Sequence, residues 1–493
     1  MSMVTNETTR TWSAQQETVF SWFSTPNPDE PNAVINAYAG TGKTTTLLEG
    51  CRRAPERSIL VCAFNKRIAE ELTTKAGDTR IQAKTLHAIG FQCIKRFRDR
   101  LILAKGTERA DGLAKEVCGQ RAPDTILKLV SKLHTKAREM KPHATQPGEL
   151  IDIAVQFECE PGDEWANTAY TLDYVCQKAV DAMEIASKVE SGGTIDFSDM
   201  VFLPVRNGWL VPMWDLAVVD ETQDMTTAQL EIVQGVCRGR IGVVGDRNQA
   251  IYAFRGADVE SLDRLKAELN AVEMGLTVTY RCARAIVREA QRYVPDFEAG
   301  PDNPEGSVTT ITGDKLVGAA APGDFVLSRL NAPLVSVAMT LLRAGKRTRV
   351  AGRDIGAGLK TLVRKFKARS VPEFLQRVSA WEEREALRLK AAKRDSSKIE
   401  AVHDQAEMLV SLADGAKNVD EITSRIDALF TDDGLGDQGL VTCSSVHRAK
   451  GLEANRVFVL RDTLRSNSVE EDNISYVAIT RAKLELVYVV GIQ

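Results

Sequence analysis

The sequence predicts an α/β fold: two domains built on parallel sheets, each carrying a mainly helical insertion. Three observations carry this reading. There are two sets of short apolar runs, chemically distinctive residue groups that follow them, and two long stretches of helical patterning that interrupt them. The first set is Ala33 to Ala37, Ile59 to Ala63, Leu216 to Val219 and Ile241 to Val244. The second is Phe325 to Leu327, Leu440 to Cys443, Val457 to Leu460 and Leu486 to Val490. Such runs, separated by helical segments, are the pattern of parallel strands buried on both faces, with ligands bound beyond their carboxyl ends.

The interruptions set the domain boundaries. TILKLVSKLHTKAREM typifies the helical stretch 91–191, read as an insertion in a first domain formed by 1–90 and 192–275. The second domain is expected at 276–355 and 436–493, around a reduced helical insertion at 356–435. That insertion contains WEEREALRLKAAKRDSSKIEAVHDQAEMLVSLADG, whose alternating charges read as a solvated helical face.

Length and composition agree with several domains. A chain of 493 residues exceeds one hydrophobic core. With 64 Lys and Arg against 67 Asp and Glu the net charge is −3, so no whole-molecule field attracts a polyanion, and any polyanion-binding surface must be a local groove. Nine cysteines are scattered without a C-x-x-C pair or zinc spacing, which favours ordinary thiols in a reducing compartment. No apolar run approaches the about 20 residues of a membrane span. The segment MSMVTNETTRTW lacks the apolar centre of a signal peptide, so the expectation is a cytoplasmic protein with no membrane partner.

AYAGTGKTTTLLEG follows the first apolar run and opens a helix. In that context small residues let backbone N–H groups face phosphates at a helix N-terminus, where the dipole also favours negative charge. Ala39, Gly40, Thr41, Gly42, Lys43, Thr44 and Thr45 are the expected cradle. Lys43 is placed to reach the β- and γ-phosphates of ATP, and Thr44 to hold Mg²⁺. Ala37 stands where the strict pattern has its first glycine. LAVVDETQD then supplies carboxylates after Val219: Asp220 for Mg²⁺ and Glu221 for the attacking water, with Gln223 and Asp224 linking to neighbouring segments. In IGVVGDRNQAIYAFRGA, Gln249 is placed to sense the γ-phosphate, while Tyr252, Phe254 and Arg255 interleave rings with a guanidinium as stacking platforms for unpaired bases.

These residues form an ordered series that resembles the superfamily 1A helicases typified by UvrD, Rep and PcrA. The series runs WSAQQ, AGTGKT, AFNKRIAEEL, KTLHAIG, IDFSDM, VVDETQD, VGDRNQAIYAFRGA, TYRC, SSVHRAKGLE and SYVAITRAK. AFNKRIA, KTLHAIG and YVAITRAK look nearer to the helicase part of F-box DNA helicases. The resemblance implies two RecA-like P-loop motor domains. It further implies that Gln16 reads adenine, Tyr280 stacks on it, Glu453 meets the ribose, and Arg281 and Arg481 approach the γ-phosphate from the second domain. It places single-stranded DNA near Phe64, Asn65, Thr85, His87, Tyr252, Phe254, Arg255 and His447. The sequence departs from the family in having Phe254 where Trp is frequent, and Asn473 and Ile474 before the final YV.

Three functions remain open at this level. The first is an ATP-dependent DNA helicase moving 3′ to 5′, acting in replication, recombination or repair on single strands and single/double-strand junctions. The second is a translocase that strips bound proteins and unwinds little. The third is a nucleotide-dependent DNA-binding switch. Single-stranded RNA is not excluded by stacking and phosphate contacts alone. A compact chain of this kind, with no nuclease domain expected, would suit a bacterial or phage-infected cell and replication or recombination proteins as partners.

Overall fold

A computed structural model describes residues 11–29, 31–63, 65–119, 121–162, 165, 167–251, 261–391, 396–430 and 439–492. Backbone contacts divide the chain into two units. The first is Met1–Pro161, Asn167–Arg247 and Phe254–Thr277; the second is Gly162–Ala166, Asn248–Ala253 and Val278–Gln493.

In the first unit, strands β1 (Ala33–Ala37), β2 (Ile59–Ala63) and β3 (Ile81–Thr85) precede a short pair, β4 (Ile102–Leu103) with β5 (Thr194–Ile195). Strands β6 (Trp214–Val219), β7 (Cys237–Gly245) and β8 (Val272–Leu276) complete a parallel six-stranded sheet of order β3-β2-β6-β7-β1-β8. Side chains alternate between two buried faces. Along β2, Ile59, Val61 and Ala63 enter one core cluster, while Leu60 and Cys62 enter the other. Helices α1 (Ala14–Ser24), α2 (Lys43–Arg53) and α3 (Lys66–Ala76) contribute to the first cluster. Helix α4 (Leu86–Ile94) contributes to the second. Helices α5 (Glu108–Cys118), α6 (Asp124–Met140), α7 (Ile151–Gln156) and α8 (Leu172–Ser187) pack largely on one another. α9 (Phe197–Arg206), α10 (Thr227–Val236) and α11 (Ser261–Leu269) return to the second face.

The second unit begins with the short pair β9 (Val278–Thr279) and β10 (Glu298–Ala299), separated by α12 (Arg284–Ala290). Its parallel six-stranded sheet contains β11 (Ser307–Thr312), β12 (Phe325–Ser328), β13 (Thr348–Val350), β14 (Val441–Ser445), β15 (Ala454–Leu460) and β16 (Ala482–Val490). The order is β11-β16-β15-β12-β14-β13. Its other helices are α13 (Gly313–Ala319), α14 (Ala332–Arg343), α15 (Arg353–Phe366), α16 (Val371–Ala391), α17 (Ser396–Ala413), α18 (Val419–Leu429) and α19 (Val469–Ile479).

All eight apolar runs lie in or overlap strands of the two sheets. The four further strands, β3, β8, β11 and β13, are the sheet edges. An edge strand is covered less completely and tolerates polar residues, so IQAKT, VEMGL, SVTTIT and TRV carry no continuous apolar signal. The charged stretch between Trp381 and Gly415 also needs refinement, because its helices are solvated on one side only. Phe374, Val378 and Trp381 of α16 and Leu409 and Leu412 of α17 share one buried cluster with Val326, Cys443 and Phe458 of the sheet. Among the described residues no helix is long and apolar enough to cross a membrane.

Candidate nucleotide site and nucleic-acid groove

The cradle follows β1. Gly40 and Gly42 have φ of 72° and 79°, left-handed backbone that glycine adopts without steric cost. The buried Thr41 braces the loop by donating its hydroxyl to the Tyr38 carbonyl at 2.9 Å. Gly42 is the N-cap of α2, and it supplies no side-chain acceptor, so first-turn N–H groups at Lys43, Thr44 and Thr45 are positioned for an anion. Ala37, at the strict pattern's first glycine, is a fully buried strand residue. Gln16 lies beside this loop. Its Oε1 accepts from Ser13 N at 3.0 Å to close the capping box of α1, and its Nε2 donates to Thr46 Oγ1 at 2.9 Å.

Two carboxylates end β6. Asp220 accepts the Glu221 N–H at 2.9 Å, and Thr44 hydrogen-bonds to it. Burial, then the neighbouring Glu221 charge, push the Asp220 carboxyl up to about 6, against Lys43 and those two hydrogen bonds. A dication beside Thr44 and Asp220 would relieve this crowding, so the residues fit the Mg²⁺ expected from the sequence. Glu221 has φ of 56°, a conformation that costs a non-glycine residue energy and is kept only where surrounding contacts enforce it. Lys43 Nζ lies 3.8 Å from one Glu221 oxygen, and Gln223 Nε2 donates to the other at 2.6 Å. Gln223 Oε1 accepts from Asp246 N at 3.2 Å, joining the end of β6 to the end of β7. A Cβ at Gly245 would lie 2.7 Å from that same Oε1, which is why glycine ends β7.

The second unit gathers Tyr280, Arg281, Glu453 and Arg481. Tyr280 is 43 % exposed, leaving an aromatic face available. Arg281 and Lys483 both bind Glu453, each at 2.5 Å. Burial acts to raise the Glu453 carboxyl, but Arg281 and Lys483 outweigh it and hold it below its ordinary value. Arg481 is buried and donates to the Val477 and Leu452 carbonyls at 3.1 and 3.2 Å. Sequence reasoning missed the brace of this half. Asn303 Nδ2 donates to the carbonyls of Thr279 and Cys282 at 2.8 and 2.7 Å, clamping the turn that bears Tyr280 and Arg281.

A groove of about 670 Å³ opens in the first unit, lined by Lys66, Lys84, Thr85, His87 and Phe197 among others. A second cavity, of about 180 Å³, is lined by His87, Asp220, Glu221 and Gln229. His87 therefore lines both. Burial lowers its pKa, which favours the neutral ring. Asn65 and Thr85 cap α3 and α4, their side-chain oxygens accepting from Ile68 N and Ala88 N at 2.9 and 3.2 Å. Phe197 was missed as a site residue, although IDFSDM was singled out as a motif.

The remaining expected residues are placed less directly. Gln249 lies in the segment Asn248–Ala253 of the second unit, where its carbonyl accepts from Lys450 at 3.0 Å. It is thus not grouped with Lys43 and Asp220. Asn473, one of the departures, donates to the Ala250 carbonyl of that same segment at 3.1 Å. His447 is half-buried just beyond β14. Phe64, Tyr252, Phe254 and Arg255 lie outside the described residues.

Fold and cradle together define a P-loop α/β protein with two parallel sheets. Residues 22–270 match the UvrD/REP helicase N-terminal domain and residues 440–489 the UvrD-like helicase C-terminal domain. The chain belongs to the UvrD/Rep helicase family. It is 22% identical over 521 residues to F-box DNA helicase protein 1 of Schizosaccharomyces pombe, covering 92% of this chain and 55% of that protein. With the ATP-dependent DNA helicase Rep of Escherichia coli it shares 28% identity over 312 residues, covering 54% of this chain and 42% of the relative. With the ATP-dependent DNA helicase UvrD2 of Mycobacterium tuberculosis the identity is 26% over 553 residues, covering 93% and 76%. The chain thus spans about half the length of the first two relatives.

Proposed function

We propose that this protein is an ATP-dependent DNA helicase that translocates 3′ to 5′ along single-stranded DNA. The observation that carries the reading is the double position of His87. One side chain lines both the groove containing Lys66 and Thr85 and the cavity that reaches Asp220 and Glu221. A strand in that groove would sit one side chain away from the hydrolytic carboxylates, which is the proximity needed for DNA to regulate ATP turnover. The printed activity of Rep and UvrD2, ATP-dependent DNA helicase, supports the same reading.

Lys43 would offset the charge on the β- and γ-phosphates, and Glu221 would take the proton of the attacking water. Thr44 and Asp220 would hold Mg²⁺, which when bound supplies charge neutralisation at the phosphate oxygens. Tyr280 offers its face to a base, and Arg281 and Arg481 carry guanidinium groups suited to a γ-phosphate. Asn65 and Thr85 suit a sugar–phosphate chain held without sequence readout.

The test is an unwinding assay on 3′-tailed, 5′-tailed and blunt duplexes, run beside ATPase measurements with and without single-stranded DNA. Unwinding of the 3′-tailed duplex alone, with strong stimulation by single strands, is expected. Unwinding from a 5′ tail would overturn the polarity. Stimulated hydrolysis without unwinding would instead assign a translocase that displaces bound proteins, and an unstimulated ATPase would assign a switch.

A further inference from the structure

Phe197 is a large apolar side chain left 62 % exposed, yet it sits on one of the most firmly built turns of the first unit. It is the first residue of α9, and its ring meets the His87 ring edge-on at 6.0 Å and 67°. Asp196 and Asp199 cap this helix reciprocally: Asp199 N donates to Asp196 Oδ1 at 2.8 Å, and Asp196 N to Asp199 Oδ2 at 3.0 Å. Beneath the turn, the fully buried Arg138 donates to Asp196 at 3.0 and 3.1 Å and to Asp199 at 2.6 Å, and Arg109 also binds Asp199. Burying such a network costs desolvation that the ion pairs only offset, so its return is geometric: it fixes one turn in one place. A third restraint lies one helical turn along. A Cβ at Gly90 would stand 1.9 Å from the Met200 carbonyl, so glycine lets α4 and α9 touch backbone to side. His87 and Phe197 are thereby held at a fixed spacing.

The groove that receives this ring has the chemistry of a phosphate chain with attached bases. Lys66 opens α3, Thr85 caps α4 and Phe197 opens α9, and all three line it. Three helix N-termini, each with its partial positive charge, therefore converge with Lys66 and Lys84 around an exposed ring. Convergent positive ends favour a polyanion, and a flat ring held rigidly among them favours a base.

We propose that Phe197 is a base-stacking residue of the groove for single-stranded DNA, presented by the buried Arg138–Asp196–Asp199 network. The proposal rests on the functional reading above. It is tested on the full chain with Phe197→Ala and Phe197→Trp, measuring by fluorescence anisotropy the affinity for an oligothymidylate and for a sugar–phosphate chain of equal length carrying abasic sites. The alanine variant is expected to weaken oligothymidylate binding by roughly 5- to 150-fold, the range of one lost base–aromatic stack. Its affinity for the abasic chain should stay within about 2-fold, and tryptophan should restore oligothymidylate binding. Melting temperature and nucleotide affinity should stay unchanged, because the ring is exposed. Equal losses on both chains would assign Phe197 to the shape of the groove, and unchanged binding would assign the ring to another partner. Either result overturns the proposal. If the unaltered chain bound neither oligonucleotide, the functional reading itself would fall, and the stacking role with it.

Discussion

In the first unit the groups that face a nucleotide are kept apart by backbone geometry, whereas in the second they neutralise one another. Glu221 is held in left-handed backbone 3.8 Å from Lys43, and Asp220 is crowded enough for its carboxyl to rise to about 6. On the second unit Arg281 and Lys483 already share Glu453 at 2.5 Å each. The first half is built to receive positive and negative charge at once. The second is satisfied as it stands, and the Arg281–Glu453 pair must open before that guanidinium can serve a phosphate. Preformed geometry belongs where bonds break, and exchangeable ion pairs belong where a ligand must be sensed.

The comparison is broken most severely at Glu221. Glu221→Gln should lower kcat by about 10²- to 10⁴-fold, the loss expected for a general base, while the dissociation constant for ATP stays near its starting value. Single-turnover hydrolysis beside equilibrium nucleotide binding would separate these effects. A variant that fails to bind ATP would show Glu221 to be a ligand holder instead. Lys43→Ala should cost about 10²- to 10³-fold in kcat and weaken nucleotide binding as well, because a cation facing both phosphates is removed. Circular dichroism should show the fold intact, since Lys43 is not part of either core cluster.

On the second unit the expected effects are smaller. Tyr280→Ala should raise the KM for ATP by roughly 2- to 12-fold with kcat unchanged, the scale of one aromatic stack. A fall in kcat with constant KM would place the ring elsewhere than on the base. The smallest effect concerns Glu453, whose pKa is held down by Arg281 and Lys483. A depressed carboxylate contributes stability that is present above its unfolded pKa and is lost as pH falls through the folded value. Glu453→Gln should therefore destabilise the protein at pH 7 by less than about 1 kcal/mol, a pair this exposed being screened by solvent, and the difference should vanish in acid. Urea midpoints at pH 7 and at about pH 3.5, below the ordinary glutamate pKa, would measure it. A gap that persists at low pH would assign Glu453 a packing role.

The chain itself determined the centres of both sheets and one half of the site. β1, β2, β6 and β7, like β12, β14, β15 and β16, are buried on both faces, so their apolar character is written continuously along the chain. Gly40, Gly42, Lys43, Thr44, Asp220 and Glu221 were legible for a related reason, because a phosphate cradle and its carboxylates are each contiguous segments ending a strand. Only the tertiary structure decided what depends on residues distant in sequence. The edge strands acquire their identity from a neighbour rather than from an apolar pattern. The charged helices α16 and α17 join the second core through Phe374, Trp381 and Leu409, one apolar side hidden among many charges. Asn303 becomes a brace only when the chain returns to the Tyr280 turn. Phe197 becomes a candidate contact only when Arg138, 59 residues earlier, and the close approach at Gly90 fix it beside His87. Short-range chemistry is carried by neighbours along the chain, whereas position in a groove is carried by packing, which no local pattern contains.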